Sequence, residues 1–192
     1  MILHDTSLRS RALNGLVDPY LPGNVQGSSI DLTLGSTIKV ENMSSASGEK
    51  GRSGVTLTSS SPTTCIPTWR DIDITQPYNL HPGEFILAHT AETVAIPEDC
   101  CAMVLLRSSA ARAGYEHSLA GWCDPSFTGQ ITLELRNNLC YHSLPVQAGM
   151  RLCQLVVHKL ENVPEHLYAV RGNYQGQKGA TASNANFSRE AA

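Results

Sequence analysis

An all-β barrel or sandwich is the fold this sequence predicts, and three features carry that reading. From Leu80 onward, apolar-rich runs are short and are broken by Gly, Pro, Asn and Asp turns at a spacing of roughly 8–12 residues. Several of those runs alternate apolar and polar residues, the period of a strand with one buried face. Stretches with a helical period are few and brief.

In chain order, residues 6–14 read as a short helix. Asp5, Thr6 or Ser7 can cap it, Leu8, Ala12 and Leu16 recur at intervals of four, and Gly15 stops it. After a turn at Pro19, Pro22 and Gly23, SSIDLTLG (28–35) alternates Ile30, Leu32 and Leu34 with Asp31 and Thr33, as a half-buried strand does. Residues 43–64 are rich in Ser, Thr and Gly and supply almost no core material, so they read as an excursion within one domain spanning 1–192. HPGEFILA and TVAIPEDC then predict two strands, the second ended by Pro97, and CAMVLL predicts a buried one. ITLEL (131–135) and RLCQLVVHKL (151–160) add two more. The tail over 172–192 is Gly-, Ser- and Asn-rich, and reads as disordered or as a lid that closes over something.

The bulk numbers narrow the partners. A net charge of −3 with only 14 Lys and Arg gives no basic field for a nucleic-acid backbone, which points to a small-molecule ligand. No apolar run approaches the roughly 20 residues that cross a bilayer, and the N-terminus lacks a secretion signal's apolar core. Cys65, Cys100, Cys101, Cys123, Cys140 and Cys153 form no CxxC pair, so they are expected to be reduced thiols in a cytoplasmic protein.

Two places could carry chemistry. In RSSAARAG (107–114), Ala110 and Ala111 favour a short helix that a preceding serine can cap and Gly114 can end. Ser108 and Arg112, four apart, then share a face. Two arginines, two hydroxyls and helix-start amides suit a phosphate or oxyanion, although an ordinary surface turn has the same composition. In ITLEL, Ile131, Leu133 and Leu135 point one way, so Thr132 and Glu134 point the other. A strand glutamate commonly faces solvent. One aimed into a cavity beside the turn GWCDPSFTGQ can act as a general base toward water. Zinc deaminases need H-x-E and P-C-x-x-C; none of His4, His81, His89, His117, His142, His158 and His166 has a glutamate two residues on, and no PCxxC occurs. Walker and G-x-G-x-x-G loops are absent as well. GRSG at 51–54 looks like a dUTPase phosphate motif, but lies in the Ser-rich excursion without flanking strands and reads as coincidence.

Taken together, VQGSSIDLTLG (25–35), LHPGEFILAHTAETVAIPED (80–99), RSSAARAG, AGWCDPSFTGQITLEL (120–135), AGMRLCQL (148–155) and YQGQKGATAS (174–183) resemble the dCTP deaminase family in order and spacing. The resemblance implies a dUTPase-like distorted β-barrel or jelly roll, with a short N-terminal helix and a C-terminal lid. It implies a homotrimer with active sites between subunits. It also implies that Glu134 is the general acid/base, and that Ser108 and Arg112 position the attacking water and stabilise charge near cytosine. Arg107, Ser109, Asp124, Thr132, Leu133, Gln154, Tyr168 and Gln177 match nucleotide-contact positions. Magnesium is expected on the triphosphate, no zinc is required, dCTP and dUTP are the expected nucleotides, and dTTP is a candidate inhibitor.

Three departures stand out. Leu106 replaces the family's usual Gly, Ala110-Ala111 replaces Leu-Gly, and Asn173 occupies the place of a phosphate-binding lysine, with Lys178 nearby. Gly121-Trp122 stands where single-function members often carry His-Arg, which leans toward the bifunctional branch that releases dUMP and diphosphate rather than dUTP. A pure dUTPase would use an aspartate in the preceding turn and need no Glu134. A non-catalytic nucleotide-binding regulator would have no use for Ser108, Arg112 and Glu134 together.

Overall fold

The computed structural model describes residues 1–42, 68–118 and 120–183. The expected excursion at 43–64, with its GRSG string, and Cys65 lie outside the described residues.

Strand β10 (Thr128–Asn137) organises the chain. Its odd-numbered side chains from Ile131 to Leu135 enter the core while Thr132 and Glu134 are only half-buried, as alternation in ITLEL predicts. It pairs antiparallel with β6 (Phe85–Ala95) and β8 (Tyr115–His117). Beyond β6 come β3 (Thr37–Glu41) and β4 (Trp69–Asp73), and β1 (Val17–Asp18) also pairs with β6, giving six strands. A second sheet runs β2 (Ile30–Leu32), β12 (Cys153–Lys159), β7 (Cys100–Leu106), β9 (Trp122–Cys123). A small ribbon joins β5 (Tyr78–Leu80) to β11 (Leu144–Val146). Apolar faces from both large sheets meet in one cluster that includes Leu32, Ile38, Ile86, Leu133, Leu135 and Leu155, each almost fully buried.

Several expectations change. HPGEFILA and TVAIPEDC are one continuous eleven-residue strand, because the polar His89, Thr90 and Glu92 between them are themselves buried and bonded. Glu92, for instance, accepts from the backbone N–H and hydroxyl of Thr33 at 2.9 and 2.8 Å. The N-terminal helix α1 is shorter than 6–14, covering Asp5–Arg11, and its cap position is His4, which makes no side-chain capping bond. The chain then widens into a turn that ends where Gly15 adopts φ +93°, so the predicted stop is the observed one. β2 is not half-buried: Asp31 is only 2% exposed between buried Ile30 and Leu32. β7 is not wholly buried either, since Met103 and Leu105 face outward.

Candidate active site

Glu134 stands on β10 opposite Leu87 of β6 and one residue from the Leu135–His117 pair with β8. Its carboxylate lines a cavity of about 430 Å³ with Trp122, Asp124, Thr132, Tyr168 and Gln177. Burial raises its pKa above the ordinary carboxylate value. Oε2 of Glu134 and both ring nitrogens of His117 are buried with no hydrogen-bond partner. The two side chains approach to 3.8 Å, too far for a hydrogen bond. Burial also lowers the His117 pKa, so the imidazole facing Glu134 is held toward its neutral form. Buried polar atoms are normally satisfied. Three that are not lie close together here, Glu134 Oε2 on a cavity-lining residue and the two His117 nitrogens on its neighbour.

The floor beneath Glu134 is shaped by the turn 124–127, closed by the Phe127 N–H to the Asp124 carbonyl at 3.2 Å. Asp124 accepts from the Trp122 indole N–H at 2.9 Å, which fixes an exposed aromatic plate at the rim. Gly121 is required behind that plate, because a Cβ there would lie 2.1 Å from the Val104 carbonyl oxygen. Tyr168 packs edge-on against Phe127, with centroids 5.5 Å apart, and its hydroxyl accepts from the Tyr174 N–H at 3.1 Å.

Residues 174–181 form a strap along β10. Gly176 N–H donates to the Thr128 carbonyl at 2.7 Å and Gln130 N–H to the Gln177 carbonyl at 3.0 Å. Gln177 Nε2 donates to the Gln130 carbonyl at 2.6 Å, and the Thr181 N–H to the Thr132 hydroxyl at 3.0 Å. The tail thus passes over the Glu134 cavity as far as it is described.

The other expected residues lie elsewhere. RSSAARAG forms α2 (Ser108–Ala113), ended by Gly114 at φ +106° as expected. However, Arg107, not a serine, occupies the cap position, and no side chain caps the helix. Ser108 and Ser109 are exposed and line a separate opening with Arg107, Asp31 and Gln154. Gln154 is held there by the Ser29 hydroxyl at 3.0 Å. Arg112 is exposed on α2. Leu133 is 1% exposed and its side chain belongs to the core, so only its backbone can meet a ligand. Asn173 is exposed and lines a shallow recess with Asp124 and Tyr168. Within one chain, then, Glu134, Asp124, Thr132, Tyr168 and Gln177 converge, while Arg107, Ser108, Ser109 and Gln154 converge on a different face. His117 was not singled out from the sequence. Its only signal there was its place in the alternating run YEH ahead of the turn.

A family model described as dCTP deaminase-like matches residues 2–160. The chain belongs to that family. A protein of Aquifex aeolicus named "dCTP deaminase, dUMP-forming" is 37% identical over 195 residues, covering 99% of this chain and 98% of its own. One of Dictyoglomus thermophilum with the same name is 41% identical over 201 residues, covering 97% and 96%. The crystal structure of 2'-deoxycytidine 5'-triphosphate deaminase from Agrobacterium tumefaciens superposes with a TM-score of 0.61 at 22% identity. That match covers 82% of this chain but only 48% of the other, so this chain spans about half its length, and the likeness is one of fold. That fold match agrees with the two packed β-sheets of this chain. Among the described residues no group of three or more His, Cys, Asp or Glu side chains could hold a metal ion, and no helix is long and apolar enough to cross a membrane.

Proposed function

We propose that the protein hydrolyses dCTP at cytosine C4 and carries the product on to dUMP and diphosphate. The observation that carries this reading is the half-buried Glu134 carboxylate, whose buried Oε2 has no hydrogen-bond partner, lining a cavity roofed by the strap. Its raised pKa makes it a stronger base than an exposed glutamate, so it can take a proton from the water that attacks C4 and pass it to the departing ammonia. Relatives of nearly equal length that bear the dUMP-forming name support the second step. Asp124, in the same cavity, is the group we assign to the water that attacks the α-phosphorus, with diphosphate leaving. Magnesium enters with the triphosphate, whose oxygens are its natural ligands. Arg107, Ser109, Gln154, Thr132, Tyr168 and Gln177 hold the nucleotide, and Leu133 contributes through its backbone alone. Asn173 brings no charge to the phosphates.

The proposed site is shared between subunits. Ser108, assigned to water positioning, lines a different opening from Glu134, and Arg112, assigned to charge stabilisation, shares its helix, so we assign both to the reacting atoms of a neighbouring copy. An exposed apolar face supports this reading. Met103, Leu105 and Trp122 are 37%, 39% and 59% exposed, and β-register places Met103 beside both Trp122 and Val156. An apolar sheet face of this kind is covered in stable assemblies, and we assign it to a homotrimer. Such an enzyme, with free thiols at Cys100, Cys101, Cys123, Cys140 and Cys153, suits the cytoplasm. dTTP, which shares the deoxyribose triphosphate, is expected to compete for the site.

The test is incubation with dCTP and magnesium, followed by separation of dUTP, dUMP and diphosphate. dUMP as the main product supports the reading, dUTP alone removes its second step, and unchanged dCTP defeats it. Activity should survive a zinc-selective chelator in excess magnesium.

A further inference from the structure

The opening beside α2 contains a carboxylate that no step above uses. Asp31 is 2% exposed, yet both its oxygens have partners of opposite charge. The Arg107 Nε lies 3.6 Å from Oδ1 and the Arg151 Nη1 lies 3.9 Å from Oδ2, while Gln26 Nε2 donates to Oδ2 at 3.3 Å. The sheet dictates this gathering. Asp31 stands opposite Gln154 across the β2–β12 pair, and the Arg107 N–H donates to the Leu152 carbonyl at 2.8 Å, so all three segments meet at one end of β12. The two arginine side chains are 34% and 49% exposed, whereas the carboxylate is sealed behind them.

Two guanidiniums sharing one buried carboxylate leave one net positive charge. At 3.6 and 3.9 Å these are ion pairs without hydrogen-bond contact, so Asp31 takes up none of the fork donors. Arg107 lines the opening with the Ser108 and Ser109 hydroxyls and the Gln154 amide, and Arg151 reaches it through Asp31. Guanidinium forks match phosphate oxygens in shape and charge. We propose that Arg151 is a further phosphate-binding residue for the nucleotide's polyphosphate, and that Asp31 is a positioning residue which holds Arg107 and Arg151 as a pair. The inference rests on the reading of the protein as a nucleoside triphosphate enzyme, and it adds two residues to that site.

The full chain is tested with inorganic tripolyphosphate as a binding probe and with dCTP kinetics. Arg151 is half exposed and supports no core, so Arg151→Gln should fold. It should weaken tripolyphosphate binding and raise KM for dCTP by about 10-fold or more, the loss falling on KM rather than kcat. The salt dependence of KM should become shallower. Arg151→Lys, which keeps the charge without the fork, should fall between. Asp31→Asn makes the opening more positive, so a carboxylate that only neutralises would give tighter tripolyphosphate binding on its loss. A positioning carboxylate gives weaker binding instead, and that is the expected result. Unchanged KM in Arg151→Gln, or tighter binding in Asp31→Asn, overturns the assignment; if Asp31→Asn does not fold, the two Arg151 variants decide. Wild-type turnover of dCTP with an indifferent Arg151→Gln would sink this inference alone. Arg151-dependent tripolyphosphate binding by a protein inert toward dCTP would sink the functional reading alone.

Discussion

Glu134 is asked to be two things at once, a base in the reaction and a charge removed from water. Replacing it with Gln keeps its size and removes the proton acceptor, so deamination should fall about 10²–10⁴-fold, measured as ammonia release from dCTP. Stability should move the other way. The fold raises the Glu134 pKa, so its favourable contribution is whole below the ordinary carboxylate range and is lost as pH rises through the folded value. Glutamine has no such loss. Thermal melts of Glu134→Gln and wild type should therefore differ little near about pH 4, with the variant melting higher as pH approaches neutrality. The lowered His117 pKa acts with the opposite sign, its contribution being lost on acidification, so the comparison with wild type is read toward neutral pH, where the imidazole is neutral. A variant that melts lower than wild type at neutral pH would show that the carboxylate is a structural anchor. Alternation in ITLEL revealed which way Glu134 points, but not that its surroundings are dry. The same rule sent Asp31 toward solvent and missed it, because the two arginines that seal it come from distant stretches of chain.

Among the elements, the strap shows how a segment with little apolar content can still be placed. The tail is Gly-, Ser- and Asn-rich, and residues 174–181 hold to β10 chiefly through backbone donors and Gln side chains. Its upstream anchor is the turn after Asp124. Ser126 adopts φ +66°, a left-handed conformation that costs a non-glycine residue energy. There its hydroxyl accepts from the Ala169 N–H at 2.9 Å, and its carbonyl accepts from Gln175 Nε2 at 3.1 Å. Ser126→Ala keeps the backbone and deletes the first of these bonds. A net hydrogen bond is worth about 0.5–1.5 kcal/mol, so amide exchange across 169–177 should quicken by roughly 2- to 10-fold. Adding dCTP or dTTP should slow exchange at 174–183 in both proteins, since a lid that covers the nucleotide is held by it. Equal rates with and without nucleotide would mean that the strap is a permanent part of the barrel. Strand β6 offers the converse lesson. Its polar middle looked like a break in the sequence, yet the buried Glu92 and Thr90 find partners that only the folded chain supplies.

At the scale of the whole molecule, ordered blocks from 25 to 183 were enough to foresee the β architecture, but no block could say which of its residues meet. In one chain they do not all meet: Glu134 lines one cavity and Ser108 another, with no lining residue in common. If the working site takes Glu134 from one subunit and Ser108 from its neighbour, two inactive variants should repair each other. Glu134→Gln and Ser108→Ala would each be nearly inert as pure assemblies. Unfolded together at equal amounts and reassembled at random, about one interface in four would join an intact Glu134 to an intact Ser108. Roughly a quarter of wild-type ammonia release should then return, while the same variants mixed without subunit exchange should stay inactive. A site built within one subunit predicts no recovery under either protocol, because every chain in the mixture carries one defect. The yield also reports geometry: recovery rising toward about a third, the ceiling for a trimer, would require that unlike subunits prefer each other, and complete absence would return Ser108 to the surface turn its local sequence resembles.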